Sequence, residues 1–541
     1  MFEKMYAALT AVMLIVAASV ADAGVSQFTA GEQIYRLGQL PSGAPLRAER
    51  QNGESIEGVA GACVNCHRRS GLGTSEGTSR VPPITSKYLF VKTGTAPGGP
   101  SRSAAAASDA IRSAYDDRSL ADAIRKGKGR GGRDLNYLMP RYSLDQSSML
   151  SLIAYLKSLP TTPSPGASET TLDFAAIVTP DADPIARDGM INVLKQFIAD
   201  KNVFIRGGKR VLHSQGQIDY RVTRQWLLHV WTLQGPPATW EAQLHEYLRS
   251  EPVFAMISGI GGAAWAPVHH FCETAQLPCL FPNINLPVVA EQDFYSIYLT
   301  KGALLDAELI ATRLKTLPLG VTPKRLIQIH AIGDGAEVAA ETLRALAPTE
   351  LESLVRVVKR GDADELAGAI AQARPGDILV LWLGADELKL LPASPPAGVQ
   401  SVFVSGSLAG LERAPLGAAW RAVSTLSYPV DLPALRALRM TYPLRWFQIQ
   451  HVPLIAEKVQ ADTYLACGIV AEALSDVTDN FMRDYLVERI EGMLSRRQLS
   501  GYYPHLGLAP GQRFASKGGY MVRFSQATGN AIEPDGEWIV P

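Results

Sequence analysis

The chain has 541 residues, of which 47% are hydrophobic and 19% are charged, and its 52 lysines and arginines balance 52 aspartates and glutamates. This length predicts about three packed units. The composition excludes a disordered chain, and five cysteines are too few for a scaffold built on disulfides. The zero net charge argues against a dedicated nucleic-acid binder, so we expect no nucleic-acid partner.

The N-terminus has the pattern of an export signal. Lys4 precedes an apolar run over 6–20, and Ala-Asp-Ala at 21–23 fits a small-x-small cleavage site. The run is shorter than the roughly 20 residues of a membrane-spanning helix. We therefore expect a signal peptide at 1–23, cleaved near Ala23, and a mature chain without a membrane span in the periplasm, an oxidising compartment. The alternative is an uncleaved anchor.

Residues 63–67 are Cys-Val-Asn-Cys-His, the attachment pattern of a c-type haem. Two thiols at this spacing form thioethers with the haem vinyl groups, while the adjacent imidazole reaches the iron. The pattern predicts one covalent haem c, anchored by Cys63 and Cys66 with His67 as an axial ligand. A redox dithiol or half of a zinc site are the alternatives, but 24–160 contain no other Cys or His to complete a zinc site.

The sixth iron ligand is predicted to be a methionine, and 24–160 contain only Met139 and Met149. Met149 belongs to the apolar stripe of a helix predicted over 145–159, which favours a core position. Met139 precedes Pro140, which favours extended backbone, as suits a thioether offered from a loop. We therefore expect Met139 to be the axial ligand.

The segment 24–160 resembles the class I cytochrome c family. The matching features are Gly31 and Tyr35 in an N-terminal helix, the attachment site, Pro82-Pro83-Ile84, Met139-Pro140-Arg141-Tyr142, and a closing helix ending at Leu159. The resemblance implies an all-α cytochrome c domain over 24–160 that carries electrons by outer-sphere transfer to a periplasmic redox partner. It also implies a proline carbonyl that orients His67, a role we assign to Pro83.

A proline-rich linker is predicted at 161–170. From Thr171 onward short apolar strands alternate with amphipathic helices. Strands are predicted at 172–178, 253–257, 278–281, 325–329 and 377–382, and helices at 187–200, 264–275 and 336–346. This order predicts parallel sheets covered by helices, an α/β class that at this length needs two lobes.

The segment 171–541 resembles the type I periplasmic binding proteins, in particular the branched-chain amino-acid receptors of ABC importers. The matching segments lie at 255–264, 277–282, 330–336, 461–467 and 508–513. The resemblance implies a two-lobed domain with three inter-lobe crossings, near Thr300, Ser427 and Leu506. The lobes would be 171–299 plus 428–505, and 300–427 plus 506–541, with a ligand cleft at the crossings.

In those receptors the loop equivalent to Ser258, Gly259, Ile260, Gly261 and Gly262 opens a helix and binds a ligand carboxylate through backbone N–H groups and hydroxyls. Here glycine and alanine stand where the family usually has serine or threonine. The anion site is therefore weaker, or the ligand is not an amino acid. The alternative is that the glycines only permit a tight turn.

Asp334, between Gly333 and Gly335, is predicted to belong to a second cleft loop, with a surface turn as the alternative. The resemblance makes an amino acid or a small organic acid the expected ligand.

Cys272 and Cys279 bracket a helix end and a strand start, so they could form a disulfide in an oxidising compartment. Cys467 is predicted to be a buried thiol. The adjacent His269 and His270 point about 100° apart on a helix, and we expect no metal or nucleophile constellation in this half.

The zero net charge hides two opposite balances. Residues 24–160 contain 18 Lys and Arg against 11 Asp and Glu, a balance of +7, whereas 161–541 contain 33 against 39, a balance of −6. The positive residues cluster around Met139, where they could steer an acidic partner or face the acidic second half. The alternative is a solvated basic loop.

Our leading hypothesis is an exported c-type cytochrome with an appended small-molecule-binding or partner-docking domain. The alternative is a periplasmic solute-binding receptor for an ABC importer, with haem as a redox sensor. We do not expect an enzyme, because the sequence contains no catalytic set in the predicted cleft.

Overall fold

The computed structural model describes residues 30–76, 79–91, 114–206, 224–290, 293–317, 325–475, 477, 480–496, 500–525 and 529–541. The chain divides into two compact units, Met1–Pro163 (unit 1) and Ser164–Pro541 (unit 2). The predicted signal peptide at 1–23 lies outside the described residues. Within these ranges no helix has the length and apolar character that a membrane crossing requires.

Unit 1 combines helices with short strands. Its helices are α1 over 30–37, α2 Val64–His67, α3 Ser86–Leu89, α4 Asp117–Lys126 and α5 Gln146–Ser158. Its strands are β1 Arg47–Glu49, β2 Ser55–Glu57, β3 Ser75–Glu76, β4 Ser79–Arg80 and β5 Arg141–Ser143. β1 pairs antiparallel with both β2 and β5, and β3 pairs antiparallel with β4.

The prediction of an all-α domain is therefore wrong. A turn around Gly53 folds β2 back onto β1. The segment after Pro140 pairs with β1 as a strand, in which Tyr142 is buried while Arg141 and Ser143 face solvent. Three-residue strands carry too short an alternation of apolar and polar residues to be recognised in the sequence.

The helices α1 and α5 pack against each other through a glycine contact. A Cβ at Gly31 would lie 2.8 Å from the Tyr155 Cβ, so any larger residue would force the two helices apart. The rings of Tyr35 and Tyr155 lie 5.2 Å apart in the core next to this contact. Met149 is fully buried in the same core, as its position on the helical stripe predicts.

The boundary between the units lies inside the predicted linker. The backbone N–H of Ser164 donates to the Phe481 carbonyl at 2.8 Å, and the Asp173 N–H donates to the Gly166 carbonyl at 2.8 Å. Residues 164–170, predicted as linker, therefore belong to unit 2.

The first lobe of unit 2 contains a parallel sheet in the order β10-β9-β8-β6-β7. Its strands are β6 Thr171–Val178, β7 Gln225–Thr232, β8 Ala255–Ile257, β9 Cys279–Leu280 and β10 Ser296–Ile297. Its helices are α6 Pro184–Arg206, α7 Trp240–Ser250 and α8 Ala266–Thr274. The buried strands are almost wholly apolar, as a sheet covered on both faces requires.

The second lobe contains a sheet in the order β12-β11-β13-β14-β15-β16-β17, of which β16 and β17 are antiparallel. Its strands are β11 Arg325–Ala331, β12 Glu352–Val358, β13 Ile378–Trp382, β14 Ser401–Val404, β15 Ser424–Tyr428, β16 Tyr520–Phe524 and β17 Ile532–Pro534. Its helices are α9 Ala303–Lys315, α10 Glu337–Leu346, α11 Ala363–Ile370, α12 Ala385–Leu388, α13 Gly406–Ala409 and α14 Ala418–Arg421.

Three later helices return to the first lobe. They are α15 Pro433–Ile449, α16 Glu457–Ser475 and α17 Arg483–Leu494, and α16 packs on α6 and β8. The chain thus crosses between the lobes three times. The first two crossings lie close to the predicted Thr300 and Ser427. The third lies after Ser516 rather than at Leu506, because residues 513–516 first pair with the Tyr298 and Leu299 backbone.

Candidate functional site

The predicted haem-attachment residues lie on one short helix of unit 1. Cys63 precedes α2, Cys66 is exposed on it, and His67 ends it with 7% of its surface exposed. The His67 Nδ1 donates to the Pro82 carbonyl at 3.1 Å, since a carbonyl can only accept. This bond leaves Nε2 unprotonated, which is the state that a metal-binding imidazole needs.

The orienting proline is Pro82, and the prediction of Pro83 is wrong. The Val81 N–H donates to the Thr74 carbonyl at 2.8 Å and the Ile84 N–H to the Gly71 carbonyl at 2.7 Å. These two bonds fix the proline segment so that the Pro82 carbonyl meets the ring. Burial lowers the pKa of His67 to about 4, against the opposing effect of Pro82, so the imidazole is neutral at physiological pH.

Met139 is the predicted second axial ligand. Its side chain is partly buried and packs against the same apolar cluster as Cys63 and Val64. Two thiols, an oriented imidazole and a thioether are the donor set of a haem c, so these residues fit the predicted cofactor. The haem itself and the axial role of Met139 stay predictions.

The basic residues around Met139 are largely engaged in unit 1. Arg130 donates to the carbonyls of Tyr88 and Leu89 at 2.6 and 2.8 Å, and Arg125 donates to the Leu144 carbonyl at 3.1 Å. Lys126 and Lys128 each pair with an aspartate at 2.7 Å. These contacts favour a structural role for the cluster over a steering role.

Two adjoining cavities occupy the crossing region of unit 2, with volumes of about 130 and 200 Å³. They share Ile284, Asn285, Thr300, Lys458 and Tyr503. The smaller cavity adds second-lobe residues, including Ser407, Leu411, Glu412 and Arg413. The larger adds first-lobe residues, including Asp183, Ile260, Gly261, Asn283 and Asp462. Both lobes therefore form one cleft.

The predicted anion-binding loop contributes to the cleft only in part. Among the residues that the structure describes, Ile260 and Gly261 line the larger cavity, whereas Ser258, Gly259 and Gly262 do not. Ser258 has a φ of 61° and is fully buried, and its hydroxyl lies 3.2 Å from the Thr463 hydroxyl.

The N–H of Gly262, which the prediction reserves for a ligand carboxylate, instead donates to the Asp181 Oδ1 at 3.1 Å. The Thr179 hydroxyl donates to the same oxygen. Asp181 was not identified in the sequence, because the two bonded residues are 81 positions apart.

Asp334 closes its own turn and does not line either cavity described. Its carboxylate accepts from the N–H groups of Ala331 and Ala336 at 2.9 and 2.8 Å. Burial raises the pKa of Asp334, with these two bonds opposing the rise. The alternative of a turn is therefore favoured. The next residue, Gly335, lies against the first lobe, because a Cβ at this position would be 3.3 Å from the Ala263 Cβ.

A cluster at the base of the cleft was missed in the sequence. Lys458 Nζ lies 2.7 Å from Asp462 Oδ2, and the Tyr503 hydroxyl donates to the same oxygen at 3.2 Å. Burial would lower the pKa of Lys458, but Asp462 and Tyr503 outweigh it and raise that pKa above the ordinary lysine value. The only signal in the sequence is the Lys–Asp spacing of four on a helix.

Charged side chains connect the two lobes beside the cleft. Arg413 of the second lobe pairs with Glu457 of α16 at 2.9 Å, and the buried Glu412 pairs with the buried Arg436 of α15 at 2.5 Å. Burial acts to raise the pKa of Glu412, but hydrogen bonds from Arg436 and Tyr428 outweigh it and hold that pKa low. These pairs hold the lobes in the present arrangement.

The structure brings together His269, Glu273 and Asp293, a grouping that the sequence did not indicate. His269 Nδ1 lies 2.7 Å from the Tyr298 hydroxyl and its Nε2 lies 3.2 Å from Asp293. Glu273 accepts N–H groups from three consecutive residues, 294–296. These groups are thus engaged in holding the start of β10.

The predicted disulfide is not formed. Cys272 and Cys279 are buried free thiols, and the Cys272 Sγ donates to the Met256 Sδ at 3.8 Å. Burial and the neighbouring Cys279 raise the pKa of Cys272. Cys467 is a buried free thiol, as expected.

A scan against protein-family models finds no match, and a search of the curated proteins finds no relative. Among solved structures, the substrate-binding periplasmic protein (Pbp) from Ralstonia solanacearum is 12% identical, with 67% of this chain and 100% of that chain covered, at a TM-score of 0.50. The fatty acid ABC transporter substrate-binding protein from Thermomonospora curvata is 15% identical, with 70% and 95% covered, at 0.48.

The branched-chain amino acid transporter substrate binding protein LivJ from Streptococcus pneumoniae, in complex with isoleucine, is 12% identical, with 68% of this chain and 99% of that chain covered, at a TM-score of 0.48. The resemblance of 24–160 to the cytochrome c family rests on its motifs. The Ralstonia likeness shows the fold alone: the chain contains the two-lobed α/β fold of a periplasmic binding protein with parallel sheets, as predicted.

Proposed function

We propose that this chain is an exported solute-binding protein that also carries one covalent haem c. Unit 2 binds a small organic solute in the cleft, and unit 1 holds the haem. The observation that carries the proposal is the cleft itself, which lies at the first two crossings and takes its lining from both lobes. Ligand-binding clefts between two lobes are the usual sites of small solutes.

The haem part of the proposal is supported by the bond between His67 and Pro82. Cys63 and Cys66 would hold the haem covalently, and His67 and Met139 would be its axial ligands. When bound, the haem supplies reversible one-electron transfer. The chain's own contribution is to orient the imidazole and to hold it out of solvent.

The partners we propose are the membrane components of an ABC importer for unit 2 and a periplasmic redox protein for unit 1. The proposal includes no catalytic step in either unit. An electron carrier whose second unit only docks a partner is the second candidate, favoured by the attachment motif and the oriented His67 imidazole.

The receptor proposal is tested by thermal unfolding of the full chain with a panel of small solutes. All eight tryptophans lie beyond residue 225, so their fluorescence reports on unit 2 alone. A solute at one hundred times its Kd should stabilise unit 2 by about 2.7 kcal/mol. Lys458→Met should abolish the shift, whereas Lys389→Met, at an exposed position directly after α12, should preserve it. A broad panel without any shift would refute the receptor proposal.

The haem proposal is tested by absorbance of the denatured protein after removal of free haem. Cys63→Ser or Cys66→Ser should abolish full covalent attachment, and Cys467→Ser should leave it intact. Haem that separates completely from the wild-type chain would contradict the proposal.

The two candidate functions differ in whether solute binding is coupled to haem reduction. A redox-sensing receptor should shift its reduction potential when its solute saturates the cleft, because coupling between sites is reciprocal. An unchanged potential with a bound solute would rule out redox sensing by the receptor, and a chain that reduces its haem reversibly but binds no solute would favour the electron carrier.

A further inference from the structure

We propose that the cleft accepts a small solute without a carboxylate, one that donates a hydrogen bond from a hydroxyl or amino group. This inference rests on the proposed solute-binding function and names its substrate class. Two carboxylates of the chain carry it: Asp181, which takes the place of a ligand anion, and Asp462, which needs a donor.

The Asp181 carboxylate accepts the hydrogen bond that a bound anion would otherwise accept. Its Oδ1 accepts from the Gly262 N–H at 3.1 Å and from the Thr179 hydroxyl. A Cβ at residue 262 would overlap the Asp181 carboxylate, so glycine at this position is what allows the contact. A solute carboxylate would have to displace this side chain or lie beside its negative charge.

Further donors of the same loop are also bonded within the chain. The Ile260 N–H donates to the Ile177 carbonyl at 2.8 Å. The Ser258 hydroxyl accepts from Asn283 at 2.8 Å and lies 3.2 Å from the Thr463 hydroxyl, where it is fully buried. The Ser258 hydroxyl and the N–H groups of Ile260 and Gly262, three of the groups that the sequence predicted for an anion, are thus engaged in holding the loop.

The Asp462 carboxylate needs a hydrogen-bond donor, which a solute carboxylate would not supply. Its side chain lines the larger cavity and is only 3% exposed. Lys458 and Tyr503 both bind Oδ2, whereas Oδ1 has no hydrogen-bond partner in the described part of the chain. A buried acceptor without a partner costs free energy, so a solute that donates a hydrogen bond there is favoured.

The charges around the larger cavity also favour a solute without a carboxylate. Its ionisable lining contains Asp183 and Asp462 against Lys458, and Asp181 lies at the adjoining loop. The Lys458 ammonium is already 2.7 Å from Asp462, so it does not supply an unpaired cation for a solute anion. Arg413, in the smaller cavity, is similarly paired with Glu457.

The test compares matched solutes that differ only in the functional group. Isothermal calorimetry on the full chain would use 2-methylpropan-1-ol, 2-methylpropan-1-amine and isobutyrate, together with ethanol, ethylamine and acetate. We expect the alcohol or the amine to bind at least tenfold more tightly than the carboxylate on the same skeleton. Whether the alcohol or the amine binds better distinguishes a neutral from a cationic donor.

Two variants assign the preference to the two carboxylates. Asp462→Asn should weaken the preferred solute at least tenfold, whereas Asp364→Asn, on the exposed surface of α11, should leave its affinity unchanged. Asp181→Ala, in an exposed loop where misfolding is not expected, should improve binding of isobutyrate at least tenfold.

The outcomes separate this inference from the receptor function. A wild-type protein that binds the carboxylate best, or a preference that neither variant changes, would overturn the inference and leave the receptor intact. If none of the six solutes binds, the inference is tested with any solute from the thermal-unfolding panel that stabilises unit 2. An anionic solute would overturn the inference. A neutral or cationic hydrogen-bond donor whose binding is weakened by Asp462→Asn would support it. No stabilising solute at all would refute the receptor itself.

Discussion

The carboxyl group of Asp306 should make the stability of unit 2 depend on pH between about 4 and 6. Asp306 lies in the first turn of α9 and is fully buried. Its Oδ2 accepts from the Ser405 hydroxyl at 2.6 Å and from the Ser407 N–H at 3.0 Å, and so holds the turn that brings Ser407 to the cleft. Burial raises the pKa of Asp306 to about 6, against the opposing effect of these bonds.

The magnitude follows from the difference between this pKa and the value of about 3.9 for an exposed aspartate, which corresponds to about 3 kcal/mol. Because the folded-state pKa is the higher one, the folded protein binds more protons than the unfolded chain between these values. The free energy of unfolding therefore falls as pH rises through this interval, and the full cost is present above pH 6. Asp306→Asn removes the ionisation and should raise the free energy of unfolding at pH 8 by about 1–3 kcal/mol.

Urea unfolding followed by tryptophan fluorescence measures this effect in unit 2. At pH 4 the variant and the wild type should have nearly equal stability, and at pH 8 the variant should be more stable. Asp364→Asn, which changes an exposed carboxylate, should alter stability by less than about 1 kcal/mol at either pH. Parallel stability curves for wild type and Asp306→Asn across this range would refute the reasoning.

The remaining predictions concern unit 1 and the lobe contact. Met139→Ala should keep covalent haem but lose the methionine–iron absorption of the oxidised protein, which Met149→Leu should retain; an unchanged spectrum would exclude Met139 as ligand. Gly31→Leu should separate α1 from α5, so proteolysis should cleave unit 1 readily while the fluorescence transition of unit 2 stays in place; a protease-resistant variant would contradict the close helix contact. Arg436→Met should lower the free energy of unfolding by about 3–5 kcal/mol because Glu412 stays buried without its partner; adding Glu412→Leu should recover most of the loss in the same urea assay.

Much of unit 2 could be predicted because its secondary structure is regular. The apolar run at 172–178 and the amphipathic helix that follows it became β6 and α6, and the later strand and helix pairs followed the same alternation. Unit 1 was predicted less well, since its short strands give almost no periodic signal. The assignment of Pro83 failed for a different reason: only the hydrogen bonds at Val81 and Ile84 decide which proline carbonyl meets His67.

The sequence by itself determined the haem-attachment motif and the alternation of strands and helices. Both are properties of neighbouring residues, because thioether attachment needs two thiols and an imidazole within one turn, and sheet and helix periods repeat over a few residues. Only the tertiary structure decided the chemistry of the cleft. Asp181 meets Gly262 across 81 residues, and Asp462 meets Tyr503 across 41. Such contacts depend on how distant segments of the chain pack together within the first lobe, and this packing leaves a buried carboxylate oxygen in the cavity where the motif predicted a site for an anion.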